Sequence, residues 1–432
     1  MAFARTRRIQ LAVLAAVVLA VTGSGLATTP AGATTGRSNP GDLDPTFANQ
    51  GVFDKPLGAP AAFNGIVRLS TGKLVAAGYK GDDLLLARFT AGGHLDHAFD
   101  GDGLLTMSRP NRELGAGAMS VHDDRIVVAG GIETGSDSTT LDVYVARFLA
   151  DGQPDPTFGG GDGFVETDAF GSSDSFEDMA VGSDGKPVVA VMSDVNGNQR
   201  AGVLRYTAAG KLDTTFSGDG KFLLPNGGKP FIEAVTVLPS LEIVAGGQAN
   251  FGSTFDFGLY GVKPSGATDP SFGTFGVATT DFDDNGDVVD ALAVDRRGRI
   301  LAGGTAFVNQ MNEYALARYT SNGQPDAAFS GDGKLAFSLG DSTDRVFALA
   351  FQGKRILAGG RGDLNDNERW SLVRIRAGGI LDSSFGTGGV VFHDFAPGPA
   401  KFEENSGLAF EPGRIVGCGY AANHAALVGW VA

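Results

Sequence analysis

Residues 323–333 read GQPDAAFSGDG, and six near copies of that phrase stand elsewhere in the chain: GDLDPTFANQG, GHLDHAFDGDG, GQPDPTFGGGDG, GKLDTTFSGDG, GATDPSFGTFG and GILDSSFGTGG. Their phenylalanines, Phe47, Phe99, Phe158, Phe216, Phe272, Phe329 and Phe385, follow one another at 52, 59, 58, 56, 57 and 56 residues. So regular a period marks a repeat architecture, in which each unit buries its apolar face only against its neighbours. Between phenylalanines the same segments recur in one order. A short run such as GKLAFSL follows the phrase, then an alternating stretch such as GIVRLSTGK, an apolar run ending in small residues such as KLVAAG or RILAGG, and a last run such as LLLARFT or YALARYT. Each is short, rich in Val, Ile, Leu, Phe and Tyr, and bounded by Gly, Asp or Asn, which are strand signals. DGK, QGK and TGK between the second and third runs suit tight hairpins, because glycine accepts positive φ cheaply.

Four short strands in each of seven repeats predict an all-β fold, a seven-bladed β-propeller of four-stranded blades. A parallel β-helix would have much shorter rungs. The chain ends agree with closure of a ring. The first copy supplies a single strand, GVFDKP, and the last, residues 405–431, supplies three, so residues 46–56 are expected to complete the final blade and leave no open edge.

Segments such as GKLVAAGYKGDDLLLARFTAGGHLDHAFDGDGLL and GRILAGGTAFVNQMNEYALARYTSNGQPDAAFSGDGKL carry a further implication. Over essentially the whole mature chain the sequence resembles the bacterial delta-60 repeat family, whose pattern runs DGKIVVAGG, FALARYN and DGSLDTSFGGDGKV. The resemblance implies a propeller and no established activity. The fourth copy departs from the pattern with LYGVKP and the seventh with LVGWVA.

Ahead of the repeats, Arg5, Arg7 and Arg8 precede the apolar run LAVLAAVVLAV, and AGA at 31–33 supplies the small residues of a cleavage site. Residues 1–33 are therefore expected to be a signal peptide, 34–40 a flexible segment and 41–432 the propeller, in a secreted, extracellular, monomeric protein. The Arg7-Arg8 pair leaves twin-arginine export open beside ordinary secretion. Removing three arginines moves the formal charge from -15 to about -18. Such a field repels phosphate backbones and anionic lipid, which argues against nucleic acid and, after cleavage, against membranes as partners. The single cysteine, Cys418, leaves no internal disulfide.

Candidate chemistry falls into three groups. The phrase aspartates, Asp44, Asp96, Asp155, Asp213, Asp269, Asp326 and Asp382, recur one per blade; five repeats carry an arginine upstream (Arg88, Arg147, Arg205, Arg318, Arg374), and a structural ion pair or Asx-turn is expected. Asx-rich loops around Asp194, Asn196, Asp283, Asp287, Asp363 and Asn365, and DGDG at 100–103, are candidate calcium ligands without EF-hand spacing. Counting ten residues back from the glycine-ended strand gives Asn64, Ala116, Glu177, Glu233, Asp290, Val346 and Asn405. If the alternating strand is innermost, this column sits at the mouth of the central channel, where converging carboxylates favour a cation or polar ligand. The five histidines lack zinc spacing, GDST at 340–343 lies in an inter-blade loop, and RGD at 361–363 is expected in an exposed loop.

Two functions follow. One is a non-catalytic binding or scaffold propeller for an extracellular protein, a polysaccharide or a small polar ligand, with Asn64, Glu177, Glu233, Asp290 and Asn405 at its site and calcium as an accessory. The other is a secreted hydrolase or lyase on glycans using acids at the channel mouth.

Overall fold

The computed structural model describes residues 38–432, apart from 135–139, 172, 196, 226–229, 252–253, 284–285, 341–342, 364–367, 396–402 and 422–423. Seven four-stranded antiparallel sheets follow one another around a ring. Blade 1 contains Ala61–Arg68, Leu74–Lys80, Asp83–Phe89 and Leu104–Met107, and each later blade repeats that order. Blade 7 is composite: Val52–Asp54 pairs antiparallel with His424–Val431, with Val52 opposite Val428, so the first strand of the chain closes the last sheet as expected. No helix among the described residues is long and apolar enough to cross a membrane.

The first strand of each blade is innermost. Contacts between blades run through these strands, which are Ala61–Arg68, Ala118–His122, Asp174–Val181, Phe231–Val237, Val288–Val294, Arg345–Gln352 and Glu403–Glu411. In six blades the pairing with the second strand shifts by one residue, between Phe63 and Gly65, Phe176 and Asp178, Ile232 and Ala234, Val289 and Ala291, Val346 and Ala348, and Asn405 and Gly407. A bulge of this kind leaves one residue unpaired and bends the strand. In five of these blades a glycine of the apolar run stands opposite the bulge, and a Cβ on Gly304 would lie 2.0 Å from the carbonyl oxygen of Val288; blade 3 has Val191 at this place.

The repeated phrase joins blades at the opposite end of these strands. All seven phrase phenylalanines are buried. Phe47, Phe99, Phe158 and Phe272 lie against Gly93, Gly152, Gly210 and Gly323 of the following blade, so closely that a Cβ there would collide with the ring. The third-strand arginine sits over the ring, 4.8 Å from its centroid for Arg88 and Phe99 and 4.4 Å for Arg374 and Phe385. Its Nε donates to the phrase aspartate, at 2.7 Å for Asp96 and 2.8 Å for Asp155. Its Nη1 donates to a carbonyl of the next blade, Ala150 for Arg88 and Pro264 for Arg205, both at 2.6 Å. The aspartate also closes an Asx-turn: Asp155 accepts the amide of Thr157 at 2.9 Å and its hydroxyl at 2.6 Å.

Six blades supply a cation from the hairpin turn that follows the innermost strand, a second one in five of them. Lys73, Arg125, Lys186, Arg299, Arg355 and Arg414 reach Asp96, Asp155, Asp213, Asp326, Asp382 and Asp44 at 2.6 to 3.2 Å. Blade 7 has Gly429 where five blades carry the strand arginine, and Arg414 takes over the whole role. It bonds Asp44, donates to the Ala91 carbonyl of blade 1 at 2.6 Å and lies 5.0 Å over Phe47.

Candidate functional site

At the other end of the innermost strands the blades differ, and the bulge decides which residue faces the channel. The bulged positions are Asn64, Glu177, Glu233, Asp290, Phe347 and Ser406, with Gly117 equivalent in blade 2. Four members of the sequence column are therefore in place, whereas Ala116, Val346 and Asn405 fall one residue short. Blades 2, 6 and 7 have a first hairpin one residue shorter than the others: Val121 opposes Ile126, while Arg68 opposes Leu74. A fixed count of ten overshoots there. Asn405 is fully buried, its amide placed to donate to the Gly407 and Cys418 carbonyls, and Ser406 stands at the mouth in its place.

Arg345 organises the mouth. Its Nε donates to Asp290 Oδ2 at 2.9 Å, its Nη2 to the other oxygen of Asp290, and Nη2 also reaches Glu233 Oε2 at 3.1 Å. One guanidinium from blade 6 thus ties carboxylates of blades 5 and 4. Phe347 lies under it at 5.3 Å. On the other side Glu404 adds to the negative field around Arg345 and accepts the Ser406 hydroxyl at 3.0 Å. Asn64 donates to the Ala116 carbonyl at 2.7 Å, lacing blade 1 to blade 2. Asp178, beside the bulge of blade 3, accepts the Val235 amide of blade 4 at 2.8 Å.

Acids outnumber bases here, and their protonation reflects it. Burial raises Glu233 well above the ordinary carboxylate range, repulsion from Asp290 and Glu177 adds to the rise, and Arg345 offsets it only in part. Asp178 is pushed up to about 7 by burial, against the pull of its two backbone donors. Arg345 is held firmly protonated: the charges of Asp290 and Glu233 outweigh its desolvation. Glu233 keeps 18% of its side chain exposed and Arg345 26%, so solvent and a small solute can reach both.

The calcium candidates divide differently. Asp194 accepts the Gly197 amide at 2.6 Å and closes a turn. Asn196, Asn365 and the side chain of Asp363 lie outside the described residues, and Asp283 is exposed. Asp287 is buried, accepts the Phe282 and Phe307 amides at 3.0 and 3.2 Å, and gathers with Asp256 and Asp281 so that one oxygen of each lies within 4.8 Å of the others. Asp142, Asp168 and Asp174 form an equivalent cluster two blades earlier. Asp142 is raised to about 6 by burial and by its acidic neighbours, and Asp287 to about 6 mainly by burial. These clusters have a shared signature, TDAFGSSD at 167–174 and TDFDDNGD at 280–287, that could have found them.

RGD is not an exposed loop. Arg361 and Gly362 lie in the strand Arg355–Asp363, and the Arg361 side chain is buried and paired with Glu368 at 3.5 Å. In GDST, residues 341 and 342 lie outside the described residues.

The family model of a β-propeller domain of unknown function, DUF5122, matches residues 122–158, 182–216 and 298–329. Each matched stretch runs through the arginine-bearing third strand of its blade and ends at the phrase phenylalanine. No curated protein matches the chain. Among solved structures it is similar to a catalytically inactive variant of virginiamycin B lyase from Staphylococcus aureus with quinupristin, at 13% identity and a TM-score of 0.48 over 88% of this chain and 99% of that one. It is also similar to Sqt1 of Chaetomium thermophilum bound to the N-terminus of ribosomal protein L10, at 12% identity and 0.47 over 88% and 98%. A third is the WD40 propeller domain of Doa1, at 9% and 0.48 over 86% and 93%.

Proposed function

We propose that the protein is an exported, non-catalytic binding propeller whose channel mouth takes a small polar ligand carrying positive charge. The observation that supports this most is the sharing of one cation: Glu233 and Asp290 both bond the Arg345 guanidinium, burial and the charge of Asp290 raise Glu233 well above the ordinary carboxylate range, and an added ammonium group would relieve that excess negative charge. Three carboxylates, Asp290, Glu233 and Glu404, act on a single guanidinium, and Glu177 adds its charge to the field at Glu233. Calcium keeps a place in this reading only at the two aspartate clusters.

The hydrolase reading has weaker support. Glu233 and Asp290 are hydrogen-bonded to each other and share Arg345. Glycoside cleavage needs two carboxyl groups about 5 Å or more apart, with the sugar between them. Export is supported by the charged, apolar and small-residue order of residues 1–33; amino-terminal sequencing of protein from culture medium should begin near Thr34, and a start at the initiator methionine would refute it.

Isothermal titration with spermidine tests the ligand class. Binding should release a proton from Glu233, so the apparent heat should vary with the ionisation heat of the buffer, and affinity should rise with pH until Glu233 is ionised. Equal affinity for the wild type and Glu233→Gln, or no binding at any pH, would overturn the reading.

A further inference from the structure

Blade 4 departs from the ring at the points where other blades agree. Gly261 stands where five blades carry the arginine, and Glu242 where six carry Lys or Arg. Asp269 has Lys263 no nearer than 4.0 Å. The phrase here ends Gly-Thr-Phe-Gly, and Phe275 holds φ at 53° with 86% of its surface exposed. Blade 6 uses Gly388, φ 65°, at the same place. A bulky ring in the left-handed region is strained, and an exposed ring regains none of that strain by burial. An outlier of this kind points to function.

Phe275 forms one wall of a cavity of about 570 Å³ along the outer strand of blade 4, within the usual range for ligand sites. Phe251, 61% exposed, forms another. Thr274, Thr279, Gln324 and glycine backbone supply hydrogen-bonding groups, and none of the described lining residues is charged. In a chain of formal charge -15 an anionic ligand is repelled, and a cationic one meets no carboxylate in this lining. What remains is a neutral ligand with flat apolar faces edged by hydroxyls.

We propose that this cavity binds a neutral glycan, with sugar rings packed on Phe275 and Phe251 and their hydroxyls met by the threonines, Gln324 and the backbone. It is separate from the channel mouth and independent of the ligand bound there.

Affinity electrophoresis through gels containing laminarin, soluble starch or polygalacturonate tests the assignment. A neutral glucan should retard the wild type, and polygalacturonate should not. Phe275→Gly should weaken retardation about tenfold without lowering the melting temperature, because glycine suits the backbone there. Phe251→Ala should weaken it as well, and Glu233→Gln should leave it unchanged, which separates this site from the mouth. Retardation that persists in both phenylalanine variants overturns the proposal, as does its absence on both neutral glucans. So does a wild type that runs as a dimer on size exclusion while Phe275→Gly runs as a monomer, since Phe275 would then be a contact between copies.

Discussion

The two ends of the same seven strands treat carboxylates in opposite ways. At the phrase end, most aspartates meet one or two cations. Burial alone would raise Asp382, but hydrogen bonds from Ser384 and Arg376 and the charge of Arg374 outweigh it and bring it to about 2. Asp213 is likewise lowered: Lys186, Thr215 and Arg205 outweigh its burial. At the mouth, Glu233 and Asp178 are raised because burial is not matched by cations. The ring repeats one paired arrangement; the mouth varies from blade to blade and shares one guanidinium among its acids. Repetition therefore marks the joint, and divergence marks the site.

Arg318→Ala should expose this contrast most strongly. It removes the 2.8 Å pair with Asp326, the cation over Phe329 and the 2.5 Å bond to the Ala377 carbonyl. Loss of such a buried partner costs about 3–5 kcal/mol, to be read from the urea midpoint. Asp269→Asn, in the blade without the arginine, should cost about 1 kcal/mol or less. Equal losses would mean that the guanidinium is not what holds the ring.

Next in size is Arg345→Ala. It strips Glu233 and Asp290 of their cation and should destabilise the protein by roughly 2 kcal/mol at pH 8, and by much less at pH 5, where a proton can take the place of the guanidinium. A loss independent of pH would mean that Arg345 acts through packing alone.

The wild-type pH profile comes third. Ring aspartates with depressed values contribute stability that is present above their unfolded value near pH 4 and is lost as pH falls toward about 2. Raised carboxylates act the other way: Asp142, Asp287 and Asp178 contribute most below about pH 4, and that contribution is lost as pH rises through about 6 to 7. The melting temperature should peak at about pH 5. A profile flat from pH 5 to 8 would remove the strain assigned to the mouth and the aspartate clusters.

Calcium has the smallest expected effect. A slight rise in melting temperature on adding it, reversed by chelator and absent in Asp142→Asn, would place the ion at the clusters; an unchanged wild-type midpoint would dispose of it.

Most of the fold was legible because a period near 56 residues and four β-runs per period leave few alternatives, and the lone GVFDKP strand foretold the closure of blade 7. The arginine–aspartate pairing was legible for the same reason. The hairpin lysines and arginines were not, since Lys73 and Arg125 look like ordinary turn residues until the sheet folds them onto Asp96 and Asp155. The mouth was legible only in part. One residue fewer in the first hairpin of blades 2, 6 and 7 displaced the column there, and Arg345 escaped notice because it lies two residues before the bulge at Phe347. Each aspartate cluster draws two members from one loop, 167–174 or 280–287, and the third, Asp142 or Asp256, from a distant strand, so the loop signature shows only part of it.

Joint and mouth divide the labour of this fold, and scanning calorimetry of Asp155→Asn beside Glu233→Gln, each with and without spermidine at pH 8, tests that division most directly. Asp155→Asn should melt well below the wild type and keep the rise that spermidine gives, whereas Glu233→Gln should melt with the wild type and lose that rise. A Glu233→Gln protein that melts as low as Asp155→Asn, or keeps the full rise, would contradict it.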